Sequence, residues 1–134
     1  MSSAAREGGD DAPRRLVVRA ADDVVCVGDV ADVFGGGGRA VLCLERDGTR
    51  VEEVLLLRLR HGVLAVVNRC PHLGRSLDDA RLRGHMLTCR GHGRSYNLRS
   101  GRPAGTLAPG PPRLRRVPAW ISGGRLFADV RGIV

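Results

Sequence analysis

Lysine is missing from this chain: all 22 basic residues are arginine, and against 14 acids they leave a net charge of +8. A phosphate-cradling P-loop needs its lysine, so the four consecutive glycines at 35–38 are read as an ordinary loop. Aromatic residues are scarce as well, at 3% of the sequence. No basic run is interleaved with rings on which bases stack, so nucleic acid is not an expected partner. The arginine surplus fits an acidic partner, and it equally fits a codon bias toward Arg, Ala, Gly, Val and Pro.

Other absences narrow the class further. No stretch reaches the ~18–20 apolar residues of a membrane-crossing helix. Four cysteines in 134 residues are too few for a disulfide scaffold. Residues 1–13 are polar, lack an apolar signal region and read as a disordered tail. Arg14-Arg15 before Leu16-Val17-Val18 has the look of a twin-arginine export signal, but Arg19, Asp22 and Asp23 break the apolar run too soon. The cytoplasm is the expected location, and no membrane association is expected.

What the chain does have is 43% hydrophobic residues, with 19 glycines and 7 prolines. That mixture favours short strands joined by turns within one domain, here 14–134. A strand is expected at 24–27 and a single helical turn at 29–34. Strands at 40–46 and 51–60 flank Asp47-Gly48, a pair favoured in hairpin turns. Val51, Leu55, Leu57 and Leu59 alternate onto one face. His61-Gly62 then turns the chain into 63–67, apolar on both faces and so expected to be central. Closing strands are read at 114–117, 120–121 and 126–130, the last two joined by Gly123-Gly124.

Residues 68–103 differ in kind, being rich in Gly, Arg and His and poor in large apolar residues. Burial alone is not expected to hold such a segment. It contains Cys70-Pro71-His72-Leu73-Gly74 and Cys89-Arg90-Gly91-His92-Gly93. The pattern is C-x-H, sixteen residues, then C-x-x-H. Each unit aims one thiolate and one imidazole at a common point, with Pro71 stiffening the first turn. Zinc accepts two Cys and two His, but zinc fingers pair like with like. Mixed pairs suit a two-metal centre in which Cys70 and Cys89 hold one iron and His72 and His92 the other.

These two units resemble the Rieske iron–sulfur proteins. The likeness extends to Tyr96-Asn97-Leu98-Arg99-Ser100-Gly101 and to Gly110-Pro111-Pro112, similar to the family's proline loop over the cluster. The resemblance implies an all-β fold: a Rieske-like antiparallel β-sandwich with a small cluster-binding subdomain at about 68–103. It implies one Rieske-type 2Fe–2S cluster on Cys70, His72, Cys89 and His92. It also implies a soluble ferredoxin, an electron carrier rather than a catalyst, that takes electrons from a ferredoxin reductase and delivers them to a terminal oxygenase through acidic docking surfaces. Alternatives are a small subunit fixed in a larger oxidoreductase, such as a nitrite-reductase-like complex, and a structural zinc module.

Relative to cytochrome bc members, Arg75 and Arg90 stand where those proteins carry a disulfide, and Arg94 stands where they carry a serine. Tyr96 is expected to reach a ligand sulfur. Fewer donors to sulfur lower the potential, which is expected at about −150 to +100 mV. Arg69, Arg75, Arg90 and Arg94 flank the ligands and either stabilise the added electron or lie solvated at the surface. Cys26 and Cys43 are expected to be buried free thiols, Trp120 a core residue, and His61 and His85 turn residues. A mononuclear iron site on His61, His85 and a carboxylate is disfavoured, because the sequence leaves no evident room for a substrate pocket.

Overall fold

The structure is a computed structural model that describes residues 13–71, 74–91, 93–104 and 113–134. Its elements are β1 (Arg14–Arg19), β2 (Val24–Asp29), α1 (Val30–Phe34), β3 (Arg39–Arg46), β4 (Thr49–Leu59), β5 (Gly62–Val67), β6 (Arg81–Arg83), β7 (Met86–Thr88), β8 (Ser95–Asn97), β9 (Arg116–Val117), β10 (Ala119–Ser122) and β11 (Arg125–Asp129). They form three sheets, in the orders β1-β3-β4-β5-β9, β10-β11-β2 and β6-β7-β8. The expected all-β architecture is therefore present. Its pairings are antiparallel except for β1, which runs parallel to β3. Sequence reading assigned no strand to β1, whose exposed Arg14, Arg15 and Val17 hide an edge strand.

The five-stranded sheet is the middle layer, which explains its long apolar runs. One face, carrying Leu42, Leu44, Val54, Leu56 and Ala65, packs on Val25, Leu126 and Ala128 of the β10-β11-β2 sheet. The other face, carrying Val41, Cys43, Leu55, Leu57 and Val66, packs on Leu77, Leu87, Tyr96 and Leu98. A strand buried on both sides reads as continuous Val and Leu, as β3, β4 and β5 do. β5 lies between β4 and β9, in the expected inner position. The hairpin turn at Asp47 and Gly48 has φ of 53° and 78°, positive at both central residues as a type I′ turn requires.

The second core corrects one expectation. Burial contributes more to the described part of 68–103 than its composition suggests: Leu77, Leu87, Tyr96 and Leu98 are each at most 1% exposed. They lie on and around the short β6-β7-β8 meander, which sequence reading missed because three-residue strands are too brief to show alternation. Trp120 is a second correction. It is 42% exposed on the edge strand β10, with its ring stacked on Phe127 at 6.1 Å. Cys26 is a third, being exposed, whereas Cys43 is buried and free as expected.

Candidate metal centre

Cys70 follows β5 and Cys89 follows β7, so two neighbouring layers deliver one thiol each. Both cysteines are 1% exposed and free of disulfides. Their loops share one backbone frame. The Cys70 N–H donates to the Arg75 carbonyl at 2.6 Å, and the Gly74 N–H donates to the Cys70 carbonyl at 2.7 Å. In the second loop the Cys89 N–H donates to the Arg94 carbonyl at 2.8 Å, and the Gly93 N–H donates to the Cys89 carbonyl at 2.9 Å. Gly74 and Gly93 have φ of 76° and 67°, left-handed angles that close the two turns and that other residues rarely adopt. Glycine four places after the cysteine and arginine five places after it occur in both loops. That repeat was legible in the sequence, although the histidines sit at different offsets.

His72, Leu73 and His92 lie outside the described residues, as do 1–12 and the Gly110-Pro111-Pro112 stretch. Among the described residues no group of three or more His, Cys, Asp or Glu side chains is placed to hold a metal ion. The described part of the expected ligand set is the pair of thiols. They fit a cluster's sulfur ligands: both are buried, both are carried on matched turns, and a phenol faces one of them. The Tyr96 hydroxyl oxygen is 3.8 Å from the Cys70 sulfur, the contact expected from the sequence. Burial, the bond to Cys70 and the nearby sulfurs of Cys70 and Cys89 push the Tyr96 phenol up to about 12, against a smaller opposing effect of Arg94. Tyr96 therefore keeps its proton and remains a donor at neutral pH.

The flanking arginines have particular partners. Arg69 pairs with Glu52. Arg75 reaches from the first loop to the second, where a Cβ on Gly91 would meet its Cδ at 2.9 Å. Its guanidinium stands 3.5 Å from the Asp79 carboxylate, and Arg90 Nε donates to the Asp79 carbonyl at 2.6 Å. Asp79 thus joins the two loops through Arg75 and Arg90. Sequence reading gave Asp79 no role, nor Asn68, and neither carries a local signal beyond its position.

Among the described residues two cavities bear on the site readings. One of about 300 Å³ is lined by Val67, Arg69, Cys70, Pro71, Gly74, Arg113 and Arg115, with no acidic residue. The other, about 590 Å³, is lined by His61 and His85 together with Leu59, Val63, Arg60, Arg99 and Arg116 among others. Room for a small molecule beside these histidines does exist, contrary to expectation. The carboxylate of a facial triad does not line it. No described helix is long and apolar enough to cross a membrane.

Comparison with known proteins agrees with this arrangement. The ferredoxin of carbazole 1,9a-dioxygenase from Nocardioides aromaticivorans IC177 is 22% identical, with a TM-score of 0.62 over 81% of this chain and 98% of that one. A chain from the complex of reduced oxygenase and oxidized ferredoxin in carbazole 1,9a-dioxygenase is 21% identical, with a TM-score of 0.61 over 80% of this chain and 93% of that one. Pseudomonas putida CBB5 NdmA is 20% identical, with a TM-score of 0.53 over 60% of this chain and 26% of that one. At these identities the likeness is one of fold. No curated protein matches the chain in sequence. The model of the Rieske [2Fe-2S] domain matches residues 15–118, a domain that implies one Rieske-type 2Fe–2S cluster. With that match over most of its length, the chain belongs to the Rieske [2Fe-2S] domain family.

Proposed function

We propose that this protein is a soluble one-electron carrier that takes electrons from a reductase and passes them to a terminal oxygenase, with Cys70, His72, Cys89 and His92 as the ligands of its cluster. The observation that carries the reading is the pair of buried cysteines on matched turns, with the Tyr96 hydroxyl against the Cys70 sulfur. When bound, the cluster supplies a centre that accepts and releases a single electron. Two neutral imidazoles in place of two thiolates leave its charge less negative, which makes reduction easier. The chain's own residues exclude water from the sulfurs and set a donor against one of them.

The cavity beside Cys70 supports the partner reading. Arg113 and Arg115 line it together with Arg69, which is paired to Glu52, and no described lining residue is acidic, so its described lining is positive on balance. An acidic docking face on the partner is steered toward such a surface, and contact between carriers is brief and modest in area. The resemblance in fold to the ferredoxin of carbazole 1,9a-dioxygenase supports an oxygenase as the electron's destination. A cytoplasmic location follows from the same reading.

The test is electron transfer itself. Chemically reduced protein is mixed in stopped flow with oxidised cytochrome c as a general acceptor, and then with a terminal oxygenase of the ring-hydroxylating class. Rapid single-electron oxidation in both reactions, without a stable complex, is the expected result. Co-purification with one large partner in fixed ratio, and no turnover as a free protein, would instead make it a fixed subunit.

A further inference from the structure

Asn68 is the one buried polar or charged residue among the described residues, at 3% exposure. It stands two places before Cys70, at the end of β5, and every polar atom of its side chain is engaged. Its Oδ1 accepts the Leu77 N–H at 3.0 Å. Its Nδ2 donates to Asp78 Oδ1 at 2.6 Å and to Glu53 Oε1 at 3.3 Å. Its backbone N–H donates to the Glu53 carbonyl at 2.9 Å. The segment between Asn68 and Leu77 is the whole loop that presents Cys70. One side chain therefore ties the two feet of that loop together and fixes both to β4.

The tie is braced from outside. Arg15 of β1 donates to Asp78 Oδ2 at 2.9 Å and to Glu53 Oε2 at 2.7 Å, and Arg39 donates to the Asp78 carbonyl at 2.8 Å. The second loop needs no such device, because β7 and β8 pair on either side of Cys89. No strand pairs across the feet of the first loop. Asn68 supplies the closure that β-pairing provides for its twin.

We propose that Asn68 is a positioning residue for the cluster: by clamping residues 68 and 77–78 it holds the Cys70 turn in its ligating shape before and after the cluster is bound. This rests on the ligand assignment above, and it reaches further, since it places control of one ligand in a side chain that touches neither sulfur nor iron. An amide is required. Asparagine accepts one bond and donates two, whereas aspartate keeps the acceptor, loses both donors and faces two carboxylates.

Three variants separate the possibilities. Asn68→Ala removes the clamp, Asn68→Asp keeps the acceptor but replaces both donors with a charge that repels Asp78 and Glu53, and Leu126→Ala destabilises the opposite core without touching the loop. In metal-free protein, amide exchange at Leu77, compared at equal global stability, should be faster in Asn68→Ala and Asn68→Asp than in Leu126→Ala. That readout does not depend on the identity of the cofactor. In the loaded protein both Asn68 variants should release iron to a chelator about 10-fold faster, the lower end of what loss of a group bonded directly to a ligand costs in affinity, with altered EPR g-values. Leu126→Ala should leave the g-values unchanged. Leu77 exchange in Asn68→Ala no faster than in Leu126→Ala at equal stability overturns the clamp. Unaltered iron release and g-values in both Asn68 variants overturn its role in positioning. Failure of the wild-type protein to take up iron and sulfide would strike the ligand assignment instead, with the Leu77 result still deciding the clamp.

Discussion

The Tyr96 hydroxyl lies 3.8 Å from the Cys70 sulfur, with both residues 1% exposed in the core beneath the middle sheet. A donor at a ligand sulfur stabilises the reduced, more negative state over the oxidised one. Tyr96→Phe keeps the ring and removes only that donor. The midpoint potential should fall by about 20–65 mV, which is a hydrogen bond's 0.5–1.5 kcal/mol expressed for one electron. Spectroelectrochemical titration of the two proteins measures it, and a rise in potential would show that the hydroxyl does not act on the sulfur.

On the proposed ligation, His92→Ala should abolish the visible spectrum of the cluster, because it would remove one imidazole ligand. The β6-β7-β8 meander should nonetheless stay protected in hydrogen exchange, since Leu77, Leu87 and Leu98 are buried in the core they share with the middle sheet. Loss of protection throughout 68–103 in that variant would mean that metal, not burial, holds the segment.

Leu87→Ala attacks the same packing directly. Leu87 is 0% exposed in the core under both thiols, so the truncation should cost about 2–5 kcal/mol in denaturant unfolding. A loss below about 1 kcal/mol would mean that the small subdomain is not packed on the middle sheet as described.

Asp78 gives the fold a dependence on acid. Burial resists its ionisation, but hydrogen bonds from Asn68 and Ser76 and the charge of Arg15 outweigh this and hold its carboxyl below the usual value of 3.8. A depressed folded-state pKa contributes stability that is present above the unfolded value and lost as pH falls through the folded one. Asp78→Asn should therefore flatten the fall in stability between about pH 5 and 3, measured by urea unfolding at each pH. An unchanged slope would remove Asp78 from the account.

Much of this was legible in the sequence, and the gaps have physical causes. Alternation at Val51, Leu55, Leu57 and Leu59 revealed β4, and the Asp47-Gly48 turn with the apolar run before it revealed β3, because long strands leave an extended signal. The spacing around Cys70 and Cys89 disclosed the candidate centre, because a ligand set is a local pattern. β1 was missed because an edge strand is free to be polar, and β6, β7 and β8 because three residues carry no period. Trp120 was misread because size and apolarity favour burial only where a second layer covers the strand, and none of the described residues covers this face of β10. The closure of the Cys70 loop depends on Asn68, Asp78, Glu53 and Arg15, which three-dimensional folding alone brings together.

The most direct test is the metal content of purified or carefully reconstituted protein, read with the EPR spectrum after reduction. Two irons and two acid-labile sulfides per chain, a red-brown colour and a rhombic signal are the expected result. Colourless protein that binds one zinc and no sulfide would contradict the account at its root.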